Sequence, residues 1–203
     1  MAMDEIIPGV FHWTAFHERI KQDVNSYFVA DGSGTLIDPM VPAEGIEWLE
    51  LNTHPGQIVL TNRHHYRHSQ RFVEAFGCPV KCEESGLHEF EGDRPVEGFR
   101  FGEELSDRIT ALEVGAITPE DTALHIRLGD GALAFADAVI RYERSPGFVP
   151  DSLLGGDAED VKRGVRASAE ALLEHDFDAL LFAHGEPLAR GGRQALREFV
   201  ERG

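Results

Sequence analysis

Lysine, cysteine and long apolar runs are the scarce features of this chain. Lysine occurs only at Lys21, Lys81 and Lys162, arginine carries the rest of the positive charge, and 19 basic residues face 36 acidic ones for a formal charge of −17. That excess opposes binding to nucleic acid or to anionic membranes, so neither is an expected partner. The two cysteines, Cys78 and Cys82, bound a strand-like CPVKC segment. Extended, the segment spans about 13 Å, too far for a disulfide, so two packed thiols in a reducing compartment are expected. No apolar stretch approaches the roughly 20 residues that cross a bilayer. The N-terminal MAMDEIIPGVFHW lacks the basic and apolar regions of a signal peptide, which makes a cytoplasmic location the expectation. GxGxxG and P-loop motifs, internal repeats and low-complexity tracts are absent from the sequence. Nothing resembles an interdomain linker in the 203 residues, and a single domain over 1–203 is expected, with no oligomeric state implied.

What is present concentrates between Ile58 and Phe72, IVLTNRHHYRHSQRF. A β-branched run gives way to His64, His65 and His68 with Arg63 and Arg67 among them, before a helical pattern reaches about Phe76. The end of a buried strand holds its neighbours rigidly and can aim several imidazoles at one point. The same spacing also fits histidines that only begin a helix, with His64 and His68 on one face.

Around this segment the pattern alternates. Strands are expected at 10–14, 24–30 and 35–38, the last two joined through Asp31-Gly32-Ser33-Gly34. A short helix follows Pro42, with Ile46, Leu49 and Leu51 as its apolar positions, then strands at 57–61 and 79–82 on either side of the histidine helix. Further strands are expected at 97–101, 110–114, 122–128 and 133–135, with a hairpin turn at Gly129-Asp130-Gly131. The Pro- and Gly-rich stretch from Arg141 to Gly156 has no periodicity and is long enough for a lid, in which Tyr142 and Phe148 either close over a substrate or anchor the loop. Helices are expected at 158–174 and at the C-terminus, around the strand 179–182. Glu120 and Asp121 read as exposed acids capping a strand, with a replacement carboxylate for a metal as the alternative. His125, opposite Leu124 and Ile126, reads as facing solvent or supporting a site from behind.

Three segments share one design, an apolar strand running into a potential ligand: Leu60-Thr61-Asn62-Arg63-His64, Leu133-Ala134-Phe135-Ala136-Asp137 and Leu180-Leu181-Phe182-Ala183-His184-Gly185. If they end on one edge, His64, Asp137 and His184 form a 2-His-1-carboxylate set suited to zinc, iron or manganese with open positions. In order and character these segments resemble the metallo-β-lactamase superfamily. Asn25 to Val29 with Leu36-Ile37-Asp38-Pro39 is similar to its N-terminal hairpin with an Asp at the site edge. Leu60-Thr61 precedes the place of its Thr-His-x-His-x-Asp-His motif. Gly115 to Pro119 resembles its Gly-His-Thr-Pro, Ala136-Asp137 its metal-bridging Gly-Asp, and Ala183-His184-Gly185 its terminal Gly-His-Gly. The resemblance implies an α/β fold, a four-layer αββα sandwich with a metal site along the sheet edges.

The departures from that pattern are specific. In register with the motif, Asn62, Tyr66, Arg67 and Ile117 stand where the family has metal ligands, leaving His64, Asp137 and His184, with Asn62, His65 and His68 as candidate helpers. A guanidinium at Arg67 repels a second cation, so a dinuclear centre is not expected. One reading is a hydrolase with a single divalent metal, catalytic through His64, Asp137 and His184. Another is a metal-free cleft that binds an anion. In both, Arg63, Arg67, Arg141 and Tyr66 are the expected contacts to a small anionic substrate. A third is a scaffold without chemistry that acts through protein contacts.

Overall fold

A computed structural model of the chain describes residues 3–90, 92, 94–142 and 144–202. One sheet has seven strands in the order β1 (Asp4–Ile7), β2 (Val10–His17), β3 (Gln22–Val29), β4 (Thr35–Ile37), β5 (Gln57–Val59), β6 (Val80–Glu83) and β7 (Val96–Phe99). The other has five: β8 (Glu104–Ser106), β9 (Ile109–Glu113), β10 (Thr122–Ile126), β11 (Ala132–Phe135) and β12 (Ala179–Phe182), ordered β12-β11-β10-β9-β8. Four helices are described, α1 (Glu47–Asn52), α2 (Ser69–Phe76), α3 (Ala158–Leu172) and α4 (Gly192–Glu201).

The sheets pack face to face. Val10, Tyr27, Ile37 and Val59 of the first meet Ile109, Leu124, Ala134 and Leu181 of the second in one buried cluster. The outer face of the first sheet is covered by α1 and α2, where Trp13, Phe28, Leu36 and Ile58 pack with Leu49 and Phe72. The outer face of the second carries α3 and α4, with Leu133, Phe135 and Phe182 against Val165, Leu172, Leu196 and Phe199. This is the expected four-layer αββα sandwich. Strands buried on both faces must be apolar throughout, which is why β11 (ALAF) and β12 (ALLF) read as continuous runs rather than alternating ones.

Helix ends follow local chemistry. Asp157 starts α3 by accepting from the backbone N–H groups of Glu159 and Asp160, and Gly77 ends α2 in the left-handed region at φ +66°. The expected elements are present, with β1 and β8 in addition, and three readings change. Leu51 is 84% exposed, because two residues along α1 place it on the face opposite buried Leu49. His125 is buried, its Nε2 hydrogen-bonded to the Asp176 carbonyl and its ring 4.9 Å from that of His175. Glu120 and Asp121 are fully buried rather than exposed, and the Thr122 N–H beside them bonds the Thr61 carbonyl of the first sheet at 3.0 Å. Cys78 and Cys82 are free and buried. No described helix is long and apolar enough to cross a membrane.

Candidate metal centre

Four strand ends build the site. β11 and β12 are parallel neighbours with Phe135 opposite Phe182, so Asp137 and His184, each two residues farther on, leave the sheet side by side. Gly185 is required next. It sits at φ +90°, and a Cβ there would collide with the Arg141 backbone, whose N–H bonds the His184 carbonyl at 3.1 Å. On the first sheet, β4 and β5 are parallel and deliver Asp38 and Thr61 to the same edge. Asp38 adopts φ +47°, an unfavourable backbone for a side-chain-bearing residue, and its buried carboxylate accepts from the Thr61 N–H at 2.9 Å, the Thr61 hydroxyl and His65 Nδ1 at 2.9 Å.

The histidine segment turns tightly at this edge. Asn62 Oδ1 accepts from the His64 N–H at 2.8 Å and opens a short 3₁₀ turn, Arg63–Tyr66. Adjacent residues of such a turn point about 120° apart, so only one of the two neighbouring imidazoles can face inward. It is His65 that does so; His64 is exposed. His65 Nε2 lies 3.4 Å from Asp137 Oδ1, and His184 Nε2 lies 3.2 Å from the same oxygen. The His–Asp–His group expected with His64 is thus formed in the structure with His65.

These three donor atoms lie within 4.8 Å of one another, the one such group among the described residues. A tetrahedral ion with bonds of about 2.0–2.1 Å separates its ligands by about 3.3 Å, close to both contacts. Asp38 holds the far nitrogen of His65 and so fixes the ring with Nε2 turned toward the site, the arrangement that orients metal-bound histidines. The donor chemistry thus fits one zinc, iron or manganese ion with an open position. Asp137 is reachable, its side chain 26% exposed, whereas those of His65 and His184 are 7% and 11% exposed.

Electrostatics tie the group together. Burial opposes the charge on Asp137, but the His65 charge and hydrogen bonds from His184 and His65 outweigh it and hold the carboxyl well below its ordinary range. Burial likewise opposes protonation of His65, yet Asp38, with Asp137 behind it, raises the imidazole to about 9. Asp121 behaves oppositely. Burial first, then the nearby Asp137 charge, push it well above its ordinary value, and neither carboxyl oxygen has a hydrogen-bond partner among the described residues.

The remaining expected residues are placed as follows. Asn62 Nδ2 reaches Asp137 Oδ2 at 3.5 Å. His68 is exposed and accepts the Val41 N–H on Nδ1 at 3.0 Å. Tyr66 is buried against Phe90 beneath Arg94, with its hydroxyl on Gln70. Arg63 is bound to the buried carboxylate of Glu120. Arg67, at φ +45°, donates Nη1 to the carbonyls of Asn25 (2.6 Å) and Asp38 (2.8 Å), while its Nη2 is enclosed without a partner. Arg141 holds the carbonyls of Arg144, Glu186 and Pro187. Ile117 packs against the small cluster of Ile140, Val149 and Leu154. Sequence reasoning gave no role to Thr61 beyond its strand; the signal for it is the strand end it shares with the histidines.

Solved structures share this architecture. A metallo-β-lactamase family protein from Thermus thermophilus aligns with a TM-score of 0.67 at 18% identity, over 98% of this chain and 80% of its own. A β-lactamase domain protein from Burkholderia ambifaria gives 0.69 at 18% identity, over 97% and 74%. A flavo di-iron protein from Thermotoga maritima gives 0.62 at 16%, over 94% of this chain and 58% of that longer one. No protein-family model and no curated protein matches the sequence. The chain has the metallo-β-lactamase fold.

Proposed function

We propose that this protein is a hydrolase of a small anionic substrate that works with a single divalent metal held by His65, Asp137 and His184. The observation that carries the reading is the convergence of those three donors on a solvent-reachable strand edge, with Asp38 bracing His65 from behind. A bound ion would polarise a substrate oxygen and lower the pKa of a water. The chain's own part is to hold both Nε2 atoms and Asp137 Oδ1 in place, with His65 braced by Asp38. A groove of about 630 Å³ lined by Phe16, Gln22, Asn25 and Tyr142 adjoins the site, and the Tyr142 ring stands 6.4 Å from that of His184, so a substrate has room beside the reacting centre. Arg67 supports the single-ion form, because its charge stands near enough to Asp38 and Asp137 to feel both and opposes a second cation.

The test is metal per chain by mass spectrometry on untagged protein, purified without chelator and then incubated with excess zinc. One equivalent, lost in His65→Ala and His184→Ala and kept in His64→Ala, is the expected outcome. No uptake by the wild type refutes it. A second reading is favoured by the His65 imidazolium spanning Asp38 and Asp137, which forms a closed ionic network without any metal. In that reading the cleft binds an anion and performs no hydrolysis, and the same measurement separates the two.

A further inference from the structure

The arginines nearest the candidate centre are occupied: Arg63 by Glu120, Arg67 and Arg141 mainly by backbone carbonyls. Unused positive charge lies on the far side of Tyr142. There the chain doubles back, Ile140 and Gly147 exchanging both backbone hydrogen bonds (3.0 and 2.9 Å), and the loop tip leans on the end of α4, where Arg202 Nη2 bonds the Pro146 carbonyl at 2.8 Å. Between them opens a cleft of about 480 Å³, lined by Tyr142, Arg144, Ser145 and Arg202 among others, with no carboxylate among its described lining residues. The Arg144 guanidinium has no partner among the described residues, and its own carbonyl is held by Arg141, which fixes the loop that presents it. In a chain with a formal charge of −17, two guanidinium groups lining one cleft, with no carboxylate among its described lining residues, stand out against the overall charge.

We infer that this cleft binds a doubly charged oxyanion of the phosphate monoester type, with Arg144 and Arg202 as its charged contacts and Ser145 as a further hydrogen-bonding group. Two fixed positive charges match such a group, guanidinium geometry suits its oxygens, and the volume exceeds that of phosphate alone, leaving space for a substituent. Tyr142 lines this cleft and also faces His184, so an anchored phosphate end would direct the rest of the molecule toward the candidate centre. Only this last point, that the ligand is the substrate, rests on the hydrolase reading; the binding itself does not require a metal.

The experiment is calorimetric titration of inorganic phosphate into the full chain, stripped of metal and again loaded with zinc, at low and at physiological salt. One phosphate per chain is expected in both forms, with affinity weakened about tenfold in Arg144→Ala or Arg202→Ala and lost in the double variant. Binding should also weaken as salt rises. Arg144 lies on an exposed loop, so its variant serves even if Arg202→Ala unfolds. No binding to the wild type, or binding unchanged in Arg144→Ala, overturns the inference. Phosphate binding only in the zinc-loaded form and indifferent to both arginines places the anion on the metal, which refutes this site and leaves the hydrolase reading standing. Arginine-dependent binding in a chain that takes up no zinc upholds the site and refutes the hydrolase.

Discussion

Two buried acidic regions lie side by side at the same sheet edge and behave in opposite ways. Around Asp137 every carboxylate is met: Asp38 by Thr61 and His65, Asp137 by His65, His184 and Asn62. In the turn 118–121 one side-chain oxygen is met, Glu120 Oε1 by Arg63, while Glu120 Oε2, both carboxyl oxygens of Asp121 and the Thr118 hydroxyl have no partner among the described residues. Asp121 is fully buried and the Asp137 side chain keeps 26% exposure, and burial opposes the charge in both; donors then separate them, the partnered carboxyl being pulled down against burial while the unpartnered one is pushed up by it. A metal-binding edge needs the first condition, a carboxylate charged and aimed.

The contrast can be broken from either side. Asp38→Ala should have the largest effect, a loss of about 3–5 kcal/mol in urea unfolding of the metal-free protein, because it leaves the His65 charge buried with only Asp137 to meet it. A loss below about 1 kcal/mol would show that the network contributes little. Arg63→Ala strips the sole cation from fully buried Glu120 and should cost about 3 kcal/mol by the same measurement.

Asp121→Asn tests the unpartnered side, and here pH supplies the sign. A carboxyl whose folded pKa is raised binds more protons folded than unfolded, so its contribution to stability falls as pH rises above its unfolded value of about 3.9. The variant should therefore be more stable than wild type at pH 8, by on the order of 1 kcal/mol, with the advantage gone near pH 3. An equal stability difference at both pH values would mean that Asp121 does not titrate as its environment implies. The smallest effect belongs to His64→Ala. Exposed and outside the triad, His64 should alter stability by no more than about 0.5 kcal/mol and leave metal content unchanged.

His64 and His65 also mark where reading the chain stops working. The design of apolar strands ending in ligands was legible, and it located Asp137 and His184, because strand length and ligand offset are local properties. The resemblance to the metallo-β-lactamase superfamily added the αββα layers. Which neighbouring histidine turns inward was not legible. It depends on the Asn62 cap and on Asp38, a residue 27 positions away in the chain that meets His65 only after β4 and β5 pair. The arginines were misleading for a related reason, since their acceptors are mostly backbone carbonyls contributed by other strands and loops, which leave no trace in side-chain identity. Glu120 and Asp121 look like surface acids in any linear reading, and they are buried where their turn joins the first sheet, the Thr122 N–H bonding the Thr61 carbonyl.

By itself, then, the sequence determined what repeats along the chain: the strand and helix periods, the turn and cap residues, the strong negative charge and the three strand ends that lead into candidate ligands. Tertiary structure alone decided which donors face one another, which carboxylates are charged and which arginines remain free. The physical reason is range. Propensity and hydrophobic pattern act over a few residues, whereas a buried charge is set by whatever the fold places within hydrogen-bonding distance of it, however far along the chain that partner lies.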